Sequence, residues 1–303
     1  MFFSFKRFFV IIFSKQNLLF IVFYGIILKT IAQQNLNKLS ENSTPLTQIE
    51  ENITSTYLNR EVHITLIYPK NISEKLNVLI FNDGQDFKEL AFYSSITTLL
   101  CQDKIHPFVC VGVHANHERL HEYGTASQAD YKQRGSKAKQ HNDFIVHELF
   151  PLLFERYPIK IEGNVIGGLS LGGLSAMDVG WNNSNLFSKI GVFSGSFWWR
   201  QKTEEEGYTD ENDRIMHNIV RAGTYKRSLK FWFEAGTNDE KSDRNKNGII
   251  DAIDDTLDLL KELEKKGYEK DNDLIYIEIE GGEHNQNTWK LVLPEFLVWA
   301  FGR

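Results

Sequence analysis

Gly167-Gly168-Leu169-Ser170-Leu171-Gly172-Gly173 follows directly on the apolar pair Val165-Ile166, and no other segment constrains the fold as much. Glycines two before and two after a serine let the chain turn so tightly that a Cβ at either position would clash. A turn of this kind joins a strand to a helix and leaves the serine hydroxyl exposed at the helix N-terminus. A glycine-rich turn that only lets a helix pack closely would look the same, so the meaning of Ser170 depends on what the rest of the chain supplies.

The rest of the chain alternates. Apolar, β-rich runs cover Val62 to Tyr68, Val78 to Asn82, Phe108 to Val113, Asn164 to Ile166, Ile190 to Phe193, Lys230 to Glu234 and Leu274 to Ile279. Between them lie helically spaced segments such as Phe144 to Phe154, and Ile253, Leu257, Leu260 and Leu263 before a stop at Gly267. Strand and helix in alternation predict an α/β fold with a mostly parallel central sheet and helices on both faces. Ligands bind such sheets beyond the carboxyl ends of the strands. A 303-residue chain with 42% hydrophobic residues can bury one such core and still carry an N-terminal extra. The net charge of −6 lacks the basic face that phosphate contacts need, which argues against nucleic acid as a partner. Two cysteines, Cys101 and Cys110, cannot build a disulfide framework or a four-ligand zinc site and are read as free core thiols.

Met1 to Ala32 contains no acidic residue, carries Lys6, Arg7 and Lys15 early, and has an apolar run from Leu18 to Leu28 ending at Thr30-Ile31-Ala32. That pattern predicts an export signal over residues 1–32, and a periplasmic or extracellular location. Cleavage after Ala32 would leave 30 basic against 40 acidic residues, a net charge of −10. The run of 11 residues is short of the roughly 20 that span a bilayer, and membrane attachment would follow only if the segment were retained. Residues 33–56, rich in Asn, Gln, Ser and Thr, read as a polar linker, so the folded domain is expected over 57–303.

A serine nucleophile on a fold of this type needs a carboxylate and then a histidine from the ends of later strands. Phe231-Trp232-Phe233-Glu234 runs into Ala235-Gly236-Thr237-Asn238-Asp239, which makes Asp239 the expected acid. Leu274 to Ile279 runs into Glu280-Gly281-Gly282-Glu283-His284, which makes His284 the expected base. His284 would take the proton of Ser170 and return it to the leaving alcohol, while Asp239 fixes the tautomer and stabilises the imidazolium. Two N–H groups must face the developing oxyanion. Leu171, the residue after the nucleophile, supplies one, and Gln85 in Asn82-Asp83-Gly84-Gln85, just past the strand Val78 to Asn82, is assigned the other. A plain turn closing that strand is the competing account of Gln85. His114, His117 and His121 follow a strand directly and lack an H-E-x-x-H pattern, so no catalytic zinc is expected there.

Together these pieces resemble the esterase D family of α/β-hydrolases from Val62 to the C-terminus. The resemblance is carried by Gly168 to Gly173, Asn82-Asp83-Gly84-Gln85, Arg119 with Glu122-Tyr123, Ser194-Gly195-Ser196-Phe197-Trp198-Trp199, Gly236-Thr237-Asn238-Asp239, and Gly281-Gly282-Glu283-His284 followed by Trp289. Leu171 stands where many relatives carry methionine; only its backbone N–H is needed. The family includes feruloyl and acetylxylan esterases, enterochelin-type siderophore esterases, S-formylglutathione hydrolases and mycolyltransferases. The resemblance implies a serine esterase that works through an acyl-enzyme with no cofactor for catalysis, on a small-molecule or polysaccharide-linked ester. Acyl transfer to a sugar, or a catalytically silent carbohydrate- or siderophore-binding protein, are the alternatives.

Two further features stand apart. Asp243-Arg244-Asn245-Lys246-Asn247-Gly248-Ile249-Ile250-Asp251-Ala252-Ile253-Asp254 has the spacing of a calcium loop. Side chains of Asp243, Asn245, Asn247, Asp251 and Asp254, with the carbonyl of Ile249, are the candidate ligands of a structural Ca2+ that would present Asp239 to His284; a polar Asx-turn loop capping the helix that starts near Asp254 is the competing account. Phe197, Trp198 and Trp199 follow a strand on the expected rim, and at least one is expected to line a substrate site, against core packing as the bland account.

Overall fold

A computed structural model describes residues 45–303 of the chain. The expected export segment and residues 33–44 of the polar stretch lie outside the described residues. Eight strands form one sheet: β1 (Leu46–Ser55), β2 (Arg60–Pro69), β3 (Asn77–Asn82), β4 (Phe108–Val113), β5 (Asn164–Leu169), β6 (Phe187–Phe193), β7 (Lys230–Asn238) and β8 (Leu274–Glu283). Their order across the sheet is β1-β2-β4-β3-β5-β6-β7-β8. β1 and β2 are antiparallel to their neighbours, and every pairing from β4 to β8 is parallel.

All seven expected strands are present, and β5, β7 and β8 run a few residues beyond the apolar segments that signalled them. β1 corrects the linker expected over 33–56. Leu46 to Ser55 pairs along its whole length with β2, so the folded unit begins well before Tyr57. An edge strand needs only backbone pairing and a few buried side chains, here Leu46 and Ser55 at its two ends, and most of its other positions are polar.

The helices are α1 (Phe92–Cys101), α2 (Arg119–Glu122), α3 (Ala138–Phe144), α4 (Phe150–Arg156), α5 (Leu171–Asn182), α6 (Asp210–Asp213), α7 (Ile215–Ala222), α8 (Asp251–Lys266) and α9 (Gln286–Phe301). A π-helical turn, Ile145–Leu149, joins α3 to α4. Apolar residues of α3, α4, α5, α7 and α8 pack on one face of the sheet with Ile166, Ile190 and Phe231. Those of α1 and α9 pack on the other with Phe81, Phe193 and Trp232. This is the layered α/β-hydrolase architecture, and it turns the C-terminal ends of β5, β6, β7 and β8 toward one rim. Cys110 is a buried core thiol of β4, as expected, whereas Cys101 is free and exposed at the end of α1 because the helix presents its polar side there.

Candidate active site

Ser170 stands between β5 and α5 with φ 53° and ψ −119°, a conformation that costs a non-glycine residue about 1–3 kcal/mol. Close packing imposes it. A Cβ at Gly168 would lie 2.4 Å from the Gly172 carbonyl oxygen, and one at Gly172 would lie 2.5 Å from Oδ2 of Asp83. Hydrogen bonds hold the strained residue from both sides: its N–H donates to Phe193 O at 2.8 Å, and its carbonyl accepts from Gly173, Leu174 and Ser196. The Oγ atom lies 3.3 Å from Oγ of Ser196.

Asp239 follows β7, where its N–H donates back to the Gly236 carbonyl at 3.1 Å. Its carboxylate is fully buried, and neither oxygen has a hydrogen-bond partner among the described residues. His284 ends β8 just before α9, which Asn285 caps by accepting from the N–H groups of Asn287 and Thr288. Nδ1 of His284 is 3.9 Å from Oδ2 of Asp239, close enough for charge attraction but beyond an N–H···O hydrogen bond. Such contacts tighten when substrate binds. The indole of Trp289 meets the imidazole edge-on, with centroids 5.2 Å apart.

Ser170, Asp239 and His284 therefore share one cleft of about 260 Å³, also lined by Ser194, Gly195, Ser196, Trp198, Glu240 and Ala252. A larger depression of about 430 Å³, lined by α8 and β8 residues such as Leu257 and Tyr276, contains no serine or histidine. The N–H of Leu171 opens α5 and that of Gln85 lies in the single turn Gly84–Asp86, positions where no helical acceptor exists. Neither donates to another protein atom among the described residues. The Gln85 side chain is used elsewhere, accepting from the Ala115 N–H and donating to Asp83.

The loop carrying Gln85 is braced by Arg119 and Tyr123. Asp83, left-handed at φ 65°, accepts two hydrogen bonds from Arg119 at 2.7 and 2.8 Å, and its N–H donates to the Tyr123 hydroxyl. Glu122 takes both guanidinium arms of Arg60. Asn82 donates to the Gly172 carbonyl on the far side of the serine turn, which ties the two loops together.

The aromatic expectation divides. Phe197 and Trp199 are fully buried, Phe197 against Phe233, so they are core residues and not substrate contacts. The short turn after β6 directs these two inward and leaves Trp198, half-buried under the Arg134 guanidinium at 4.7 Å, on the cleft. The candidate calcium loop also differs from its expected form. Asp243 accepts from the N–H groups of Asn247 and Gly248, and the side-chain amides of Asn245 and Asn247 both donate to Asp254. Asp251 turns away: Oδ1 accepts the Arg244 N–H at 2.8 Å and Oδ2 pairs with the Arg244 guanidinium at 3.2 Å. Arg244 also reaches Asp210 and Asp255, so an internal cation already neutralises one expected ligand. Among the described residues, no group of three or more His, Cys, Asp or Glu side chains is arranged to hold a metal ion. A cation there would rest on Asp243 and Asp254 with the amide oxygens of Asn245 and Asn247 and the Ile249 carbonyl. His114 bonds to Thr65, and burial pushes its imidazole down to about 4.

Sequence reasoning missed Ser196, Glu240 and Glu234. Ser196 touches the Ser170 hydroxyl, and Glu240 lines the cleft, with its carboxyl raised by burial and then by Asp251. Glu234 alone left a signal, as the one acidic residue in the otherwise apolar run of β7.

Fold and nucleophile turn place the chain in the α/β-hydrolase class. Residues 55–300 match the Esterase family, described as "Putative esterase", and the chain belongs to that family. It is 24% identical over 208 residues to the uncharacterized protein YbbA of Bacillus subtilis (strain 168), covering 67% of this chain and 76% of that protein. Its fold is similar to that of the enterobactin esterase FES from Shigella flexneri, at TM-score 0.66 and 19% identity over 84% of this chain. The chain spans 58% of the length of that enzyme. It is likewise similar to a ferulic acid esterase, with TM-score 0.65 and 16% identity, over 85% of this chain and 98% of the other. An IroE-like serine hydrolase from Shewanella oneidensis gives TM-score 0.62 at 19% identity, over 83% and 79% of the two chains.

Proposed function

We propose that the protein is an exported serine esterase that cleaves carboxylic esters through an acyl-enzyme on Ser170. The observation that carries this reading is the strained Ser170 opening into one cleft with a buried Asp239 and an accessible His284. In this reading His284 takes the Ser170 proton as Oγ attacks the ester carbonyl. The tetrahedral oxyanion is met by the Leu171 and Gln85 N–H groups, whose freedom from protein acceptors supports the role. His284 then protonates the leaving alcohol, and water repeats the sequence on the acyl-serine. Trp198 gives the cleft one aromatic wall, which favours esters of aromatic acids, feruloyl or catecholate, or of sugars, over long aliphatic ones. The enterobactin and ferulic acid esterases of similar fold support that substrate class. Export rests on the acid-free, apolar Met1 to Ala32 segment. A calcium ion bound by the loop after Asp239 would serve structure and not chemistry. The test is hydrolysis of acetyl, feruloyl and catecholate esters by the wild-type protein and Ser170→Ala. Turnover by the wild type that falls by about 10⁶ in the variant supports the reading, and undiminished turnover in a folded variant ends it.

A further inference from the structure

Glu234 lies on β7, between β6 and the edge strand β8, with no exposure, an acid among Trp232, Phe233 and Ala235. Its carboxyl has one weak partner, the Ser194 hydroxyl at 3.5 Å from Oε2. That hydroxyl accepts the Trp289 indole N–H at 2.8 Å, so its own hydrogen is free to point at Glu234. Oε1 of Glu234 is left without a partner, as are both carboxylate oxygens of Asp239. Residues two apart on a strand share a face, so Gly236 marks the place next to Glu234 along β7. A Cβ built on Gly236 would lie 2.9 Å from Oδ1 of Asp239. The Asp239 carboxylate therefore folds back over the same face of β7 that carries Glu234.

Two buried carboxyls over the same face of one strand, with three unsatisfied oxygens among them, repel each other when both are charged, which disfavours the doubly ionised state. Asp239 faces His284, whose imidazolium favours an anion, while Glu234 faces only a hydroxyl and apolar rings. Since Oε2 accepts from Ser194, hydrogen-bond bookkeeping leaves Oε1 as the atom that bears the proton.

We propose that Glu234 is a positioning residue of the site: it stays protonated on Oε1 and gives that hydrogen to Asp239, which remains the anion that faces His284. The inference rests on the serine-esterase reading above. Burial, and then the Asp239 charge, push the Glu234 carboxyl up to about 8, in keeping with this arrangement. The titratable groups near it are Asp239 just past the end of its own strand and Tyr276 on β8, whose hydroxyl is held above its usual range by burial first and then by its hydrogen bond to Glu278. The turn after β6 contributes Ser194 and α9 contributes Trp289, neither of them charged. Ionisation of Glu234 would put a second anion beside Asp239 and break the hydrogen bond that holds it toward His284.

The experiment compares wild type, Glu234→Gln, Glu234→Leu and Asp239→Asn in the hydrolysis of p-nitrophenyl acetate from pH 5 to 10, corrected for spontaneous hydrolysis. Wild-type kcat/KM should fall along a one-proton limb as Glu234 ionises near pH 8. Glu234→Gln, which keeps an N–H donor that cannot ionise, should lose that limb, whereas Glu234→Leu should lower kcat by about tenfold, the worth of one net hydrogen bond. An unchanged limb in Glu234→Gln, or a loss as deep as that of Asp239→Asn, overturns the proposal. A readout independent of activity is the melting temperature. A carboxyl with a raised folded pKa stabilises at low pH and loses that contribution as pH rises from about 4.5 to 8. The wild type should show this decline and Glu234→Gln should lack it; parallel curves overturn the proposal. If Ser170→Ala remains active, the esterase site has failed, and the melting curves still decide where the proton sits.

Discussion

Arg119→Ala removes both hydrogen bonds that the guanidinium gives Asp83, at 2.7 and 2.8 Å. The Asp83 side chain is 2% exposed, and its left-handed backbone sets the turn that carries Gln85. Stranding a fully buried carboxylate costs about 3–5 kcal/mol. Arg119 itself is 30% exposed, so water can reach the freed carboxylate from that side, which lowers the figure to about 2–3 kcal/mol. For a folded unit of this size, that corresponds to a melting temperature lower by about 5–10 °C. The same change frees the Gln85 turn, and loss of one oxyanion donor lowers kcat by about 10²–10³. Thermal unfolding and steady-state kinetics on one ester, measured on wild type, Arg119→Lys and Arg119→Ala, separate the two effects. Lysine restores the charge on one nitrogen instead of the two that reach Asp83 and should fall between them. A variant that melts as calculated while kcat stays within about threefold would show that this loop supplies no oxyanion donor.

Further expected outcomes follow from the same geometry. Trp199→Ala should cost about 3–5 kcal/mol by emptying a core site, whereas Trp198→Ala should leave the fold intact and raise KM for aromatic esters more than for aliphatic ones; equal KM changes for the two ester types would remove Trp198 from the substrate site. Gly172→Ala drives a Cβ into Asp83 and should abolish activity, and an active variant would mean the serine turn is looser than described. Burial pushes the His141 imidazole down to about 4, so the stability it contributes is present above pH 6.5 and lost as pH falls toward 4; His141→Gln should flatten that acid loss in melting temperature, and an unchanged slope would contradict it. Millimolar calcium should raise the melting temperature of wild type and not of Asp243→Ala, and no change in melting or activity with calcium or chelator ends the calcium role.

The strands and the nucleophile turn were legible because burial leaves a direct imprint on sequence. Val78 to Asn82 and Phe108 to Val113 are buried along nearly their whole length and read as unbroken apolar runs. Glycines at 168 and 172 are dictated by atoms packed within 3 Å of where their Cβ atoms would be, the Gly172 backbone in the first case and the braced Asp83 carboxylate in the second. β1 was illegible for the opposite reason: an edge strand held by backbone pairing can carry Gln48, Glu50, Glu51 and Asn52 without cost. In the candidate site, Ser170, Asp239 and His284 could be named because each ends a recognisable strand. Phe197, Trp198 and Trp199 are consecutive aromatics, and only the path of the turn after β6 decides which one meets solvent. Asp251 has the right spacing for a calcium ligand, yet the Arg244 guanidinium takes it, a contact that spacing alone does not encode.

The central claim is that Ser170 is the activated nucleophile. Intact-protein mass spectrometry after brief reaction with a fluorophosphonate, followed by peptide mapping, tests this directly. The account predicts a single adduct on the peptide that contains Ser170, loss of esterase activity in proportion to labelling, and no adduct on Ser170→Ala. Labelling at another residue, or full activity in the labelled protein, would contradict it.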